Sequence, residues 1–83
     1  MDKTIVEVYV PIIPKSYDIF IPQNSQMADV LELIKRAVYD LSDGRFIPDA
    51  KTALCMRETG SIIDINKSAN ESGIKNGSKL MLI

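Results

Sequence analysis

No histidine occurs in this chain, which removes the side chain best suited to proton transfer near neutral pH and the commonest metal ligand. Cysteine is nearly absent too. Cys55 stands alone, so it has no partner for an internal disulfide and implies no oxidising compartment. As a nucleophile it would need a base or a cation beside it, and Arg57 is separated from it by one residue of extended strand. Cys55 therefore reads as a small apolar residue at the surface or at a sheet edge. Glycine is sparse. Gly73 and Gly77 bracket Ile74, but the stretch lacks the glycine run, the Lys-Ser/Thr pair and the following helix of a phosphate-binding loop, so it reads as turn chemistry. The 11 acidic residues form no liganding cluster: Asp40 and Asp43 flank a helix end, while Asp64 and Glu71 fall in separate loops. These absences leave catalysis, metal binding and cofactor binding without residues to carry them.

Charge of one sign is lacking as well. The formal net charge is −1 and the ten Lys and Arg are scattered, whereas nucleic-acid binders cluster cations to displace counterions from phosphates. No apolar run approaches the ~20 residues of a membrane span. Met1-Asp2-Lys3-Thr4 leads straight into a strand pattern without a signal-peptide hydrophobic region. A nucleic-acid partner and direct membrane insertion are not expected, and the cytoplasm is the simplest address.

What is present is strong periodicity. With 83 residues there is room for one core, so residues 1–83 read as a single domain. Residues 4–10 alternate, with Val6, Val8 and Val10 on one face and Ile5, Glu7 and Tyr9 on the other. Prolines 11 and 14 interrupt the run, since neither can donate to a ladder, and residues 16–21 alternate again with Tyr17, Ile19 and Ile21 on one side. The two runs predict a β-hairpin with a long, apolar tip. Ser25 or Asn24 is the expected helix N-cap. From Met27 the period becomes helical: Met27, Val30, Leu31, Ile34, Ala37, Val38 and Leu41 form one stripe, with Leu33 at its edge. The helix should end near Ser42-Asp43-Gly44, where glycine supplies the cap. Phe46 and Ile47 are expected to fold back onto the core. Residues 52–57 predict a third strand with Leu54 and Met56 inward and Ala53, Cys55 and Arg57 outward. Residues 62–65 predict a short fourth strand, and residues 79–83 a last one with Leu80 and Leu82 inward.

Strand, strand, helix, then three further strands gives an α+β chain. One amphipathic helix packed across one mixed sheet of about five strands covers both apolar faces. A right-handed crossover through the helix makes this the β-grasp fold, with the first and last strands parallel and central.

The spacings now resemble ubiquitin. The intervals from Val6 to Val8, Ile21 to Met27, Met27 to Val30, Val30 to Ile34, Ile63 to Ile74, and Ile74 to Leu80 to Leu82 match ubiquitin's core positions. The resemblance covers nearly the whole chain, with a longer stretch between Ile34 and Leu54. Ubiquitin and the sulfur carriers of this fold use a flexible tail ending in Gly-Gly, because only glycines thread the activating enzyme's channel. Ile83 ends an aliphatic strand instead, so conjugation and sulfur carriage are not expected. The alternative, a modifier or sulfur carrier acting through a processed C-terminus, would need a longer precursor. Among ubiquitin-like proteins the chain resembles the YukD/EsaB family associated with type VII (WXG100, ESX-like) secretion. The likeness lies in its size, its lengthened helix-to-strand region, and an ending in which Gly73-Ile74 precedes the Asn76-Gly77 turn and a short aliphatic terminus.

That resemblance implies an accessory, non-catalytic role and a protein partner in the secretion machine, such as its membrane ATPase. The surface offers one candidate patch. Alternation places Tyr9, Cys55, Met81 and Ile83 on the outward face of adjacent strands, with the Ile12-Ile13 tip near one end. Ubiquitin uses the matching face to bind its receptors, and contiguous exposed apolar area often marks an interface. The stems of Arg57 and Lys79 offer an alternative covering. A homodimer also stays open, because residues 16–21 form an edge candidate with only Asp18 to discourage pairing.

Overall fold

The computed structural model describes residues 3–83. Met1 and Asp2, part of the stretch read above as free of a signal sequence, lie outside the described residues. Strand β1 (Lys3–Val10) and strand β2 (Lys15–Pro22) form an antiparallel hairpin in unbroken register, from Lys3 opposite Pro22 to Val10 opposite Lys15. Alternating β-branched residues suit a pleated surface packed on one side, and Val6, Val8 and Val10 are fully buried. The tip turns at residues 11–14, where the Ile13 N–H donates to the Val10 carbonyl at 3.2 Å.

Helix α1 (Met27–Leu41) buries Met27, Val30, Ile34 and Val38, spaced for one face. Its start corrects the expected Ser25 or Asn24 cap. The N-cap is Gln26, and no side chain caps the helix. Backbone from far along the chain does so: the Met27 N–H donates to the Lys67 carbonyl at 2.7 Å and the Ala28 N–H to the Ile65 carbonyl at 3.1 Å. Two of the orphan donors of a helix start are thereby paired across the fold. The Ala69 N–H returns the contact to the Ser25 carbonyl at 3.0 Å. The other end closes as expected. Gly44 takes φ +76° and its N–H reaches the Tyr39 carbonyl at 2.9 Å, the left-handed cap that glycine adopts without a Cβ clash.

Two residues near this end depart from expectation. Leu41, assigned to the buried stripe, is 56 % exposed, and Ile47 is 75 % exposed, whereas Phe46 is buried. The Ser42 hydroxyl accepts the Phe46 N–H at 3.2 Å, which aims that ring at the core.

Strand β3 spans Leu54–Met56 and strand β4 spans Ser78–Leu82. Among the described residues the sheet has four strands rather than about five, in the order β2-β1-β4-β3, with β1 and β4 parallel at its centre. The expected strand at residues 62–65 is reduced to a single bridge between Cys55 and Ile62. Asp64 explains the truncation: its carboxylate accepts the Asn66 N–H at 2.9 Å and its carbonyl accepts the Lys67 N–H at 3.3 Å. That turn bends the chain away before a ladder can propagate. The core lies between α1 and one face of the sheet, and Ile63, Ala69 and Ile74 seal it from the loops.

Candidate binding surface

The sheet face turned away from α1 carries the side chains that the core does not use. Register fixes their neighbours, because directly paired residues share a face. Tyr9 pairs with Met81, Met81 with Cys55, and Cys55 with Ile62, so these four form one row across the sheet. Ile83, one residue past the end of β4, extends the patch. Its backbone N–H and carbonyl exchange bonds with Ala53 at 2.9 and 2.8 Å.

The row is apolar but only partly open. Ile83 is 52 % exposed, and Tyr9 and Met81 are half-buried. Cys55, expected among the exposed residues, is fully buried, which corrects its place in the patch. The reason is stature: a short side chain sits between the longer Met81 and Ile62 of the flanking strand and loop. Burial pushes the Cys55 thiol above its ordinary pKa, because desolvation disfavours the thiolate. Its Sγ lies 3.5 Å from the Met81 carbonyl. Ile13 is corrected as well: it packs against the core, leaving Ile12 alone exposed at the hairpin tip.

Arg57 is the other determinant of this face. Its guanidinium carbon lies 4.2 Å from the Tyr9 ring centroid, and its Nη1 donates to Glu7 Oε2 at 3.2 Å. From its place just after β3 the side chain thus reaches over β4 to β1, covering the tyrosine with a cation. Each contact is worth roughly 0.5–1 kcal/mol at such exposure. A covering by Arg57 is therefore present, over Tyr9, and it makes the surface amphipathic.

Reading the sequence missed two members. Ile62 is exposed at the end of the row, and only the bridge to Cys55 reveals it. Phe20 is exposed opposite Ile5 at the far end of the face. Its alternation with Ser16 and Asp18 was the available signal.

In the loop before β4, Ser68 and Glu71 satisfy each other: the Glu71 carboxylate accepts the Ser68 N–H at 2.9 Å and the Ser68 hydroxyl accepts the Glu71 N–H at 3.1 Å. This reciprocal pair has the geometry of a capping box. The bonds from Ser68 hold the Glu71 carboxyl below its usual range. Among the described residues no group of three or more acids and cysteines converges to hold a metal ion, and no helix is long and apolar enough to cross a membrane.

One helix laid across a mixed sheet of order β2-β1-β4-β3, with its parallel pair at the centre, is the ubiquitin-like β-grasp fold. Solved structures bear this out over the full length. The chain is similar to the ubiquitin-like domain of the type VII secretion system protein EccD1 of Mycobacterium tuberculosis, with a TM-score of 0.80 and 16 % identity, covering 100 % of this chain and 99 % of that one. It matches part of an ESX-5 inner membrane complex at a TM-score of 0.72 and 16 % identity, covering 100 % of this chain and 21 % of that one. The ubiquitin-like domain of Plasmodium falciparum Dsk2 is also similar, at a TM-score of 0.75 and 17 % identity, with 98 % and 96 % covered. No protein-family model matches the chain, and no curated protein does.

Proposed function

We propose that this chain is a non-catalytic accessory component of a type VII secretion system, binding another protein of that machine through the outer face of its sheet. The observation that carries the reading is the end-to-end likeness to the EccD1 ubiquitin-like domain. The match to 21 % of a chain in an inner membrane complex supports a role as a docking module on such an assembly. The partner is a cytosolic face of the machine, its membrane ATPase being the first candidate, and the domain works in the cytoplasm without a cofactor. Met81, Ile83 and Ile62 supply the apolar contact, and Arg57 exchanges Glu7 for a carboxylate of the partner when the two surfaces meet.

The test is export of a WXG100 protein from a strain lacking this gene. Export should fail and return on complementation with the native chain. It should not return with Met81→Glu, at a half-buried position on the outer face, provided that variant unfolds at the same urea concentration as the native chain. Normal export from the deletion strain would refute the proposal.

A further inference from the structure

The outer edge of β2 is a second and independent feature, and its hydrogen-bonding groups can be assigned. The Ile5 N–H donates to the Asn76 side chain at 2.9 Å and its carbonyl accepts from the Gly77 N–H at 2.9 Å, so Ile5 faces the β4 side. Strand residues alternate in the direction of their backbone groups. The even residues of β1 therefore face β2, and in the observed register they bond Lys15, Tyr17, Ile19 and Ile21. Ser16, Asp18 and Phe20 point their N–H and carbonyl groups away from the sheet. The opposite edge is not free in this way. There the Met56 N–H donates to the Ser61 carbonyl and the Leu54 carbonyl accepts the Ile63 N–H, at 2.9 and 3.0 Å.

Charge and shape select what this edge fits. Asp18 lies directly opposite Glu7, and of these two carboxylates it is Glu7 that Arg57 bonds. Paired like charges repel, so a cation on an added strand opposite Asp18 is favoured. A second copy added antiparallel does not supply it. Antiparallel self-pairing through the free groups sets even residues against even residues, which gives Asp18 the partner Ser16, Asp18 or Phe20 but never Lys15. On the inner side, Tyr17 and the half-exposed Leu41 are the apolar part of a cleft of about 250 Å³ between β2 and the end of α1, whose rim is completed by Lys15, Ser42, Asp43 and Arg45. A side chain opposite Tyr17 would lie over that cleft.

We propose that the β2 edge accepts an extended segment of a partner protein in which apolar and basic residues alternate. The segment adds antiparallel to β2, with its cations facing Asp18 and its apolar side chains on Tyr17 and Leu41. Main-chain bonds hold it, and the alternation sets its register.

The test titrates the isotope-labelled protein with a short synthetic peptide alternating valine and lysine, and with its valine–glutamate counterpart, followed by amide NMR and hydrogen exchange. The lysine peptide should shift and protect the amides of Ser16, Asp18 and Phe20, and the glutamate peptide should not. Ser16→Pro removes one outward donor that the sheet does not use and should weaken binding about five-fold. Asp18→Asn should weaken it about three-fold. Equal responses to both peptides, shifts confined to Tyr9 and Met81, or unchanged affinity in both variants would overturn the proposal. So would protection of the same three amides that grows with protein concentration alone, the mark of self-pairing.

Discussion

Labelling of Cys55 by a thiol reagent should be controlled by opening of the segment at residues 61–63. The thiol is fully buried, so reagent reaches it only when that segment leaves the edge of β3. Two backbone bonds hold the segment, from Met56 N–H to Ser61 and from Ile63 N–H to Leu54. At about 1 kcal/mol each they contribute roughly 2 kcal/mol. The buried Ile63 side chain adds about 2 kcal/mol, and the freedom regained by the loop takes back about 1–2 kcal/mol. The net opening cost is about 2–3 kcal/mol, which slows labelling about 100-fold relative to the denatured chain. The assay is the absorbance of a disulfide-exchange reagent, with the denatured rate as reference. Ile63→Ala should raise the native rate at least ten-fold, since the truncation removes most of the side chain's burial. A native rate within about three-fold of the denatured one would refute the reasoning, because the thiol would then be open without any segment moving.

Two further outcomes follow from burial and charge. Ile34→Ala, at a fully buried position on α1, should cost about 2–5 kcal/mol in urea unfolding, against a total of ~4–12 kcal/mol for a domain of this size. Leu41→Ala, on the same predicted stripe but exposed, should cost under about 0.5 kcal/mol. Stability should also fall at both ends of the pH range. The raised Cys55 pKa means that the folded chain holds its thiol proton longer, so stability is lost as pH rises from about 8.5 through the folded value, and Cys55→Ala should remove that slope. The lowered Glu71 pKa means that the unfolded chain takes up the proton first, so stability is lost as pH falls from about 4.3, and Glu71→Gln should remove that slope.

Most of the fold was legible because its signals are local and periodic. The valine alternation of β1, the helical spacing from Met27 to Val38 and the Gly44 cap each follow from a few neighbouring residues. The failures share a cause in contacts between distant segments. The cap on α1 comes from the Lys67 and Ile65 carbonyls, which no pattern around Ser25 announces. Asp64 ends the expected strand at residues 62–65 through a turn whose effect depends on where β3 lies. The candidate surface was legible in its facing but not in its depth. Parity put Cys55 on the outer side, yet its burial depends on Met81 and Ile62, one on another strand and one on a loop. The hairpin register alone would have paired Phe20 with Ile5.

Crosslinking in the cell tests most directly the proposed contact between the outer sheet face and a type VII secretion protein. A photo-reactive amino acid replacing Met81, with a second variant replacing the helix residue Leu33 as control, would be irradiated in living cells and the adducts identified by mass spectrometry. Adducts from position 81 to a type VII secretion protein are expected, lost in Arg57→Glu and absent from position 33. Adducts that include no such protein, or the same set from both positions, would contradict the proposed contact.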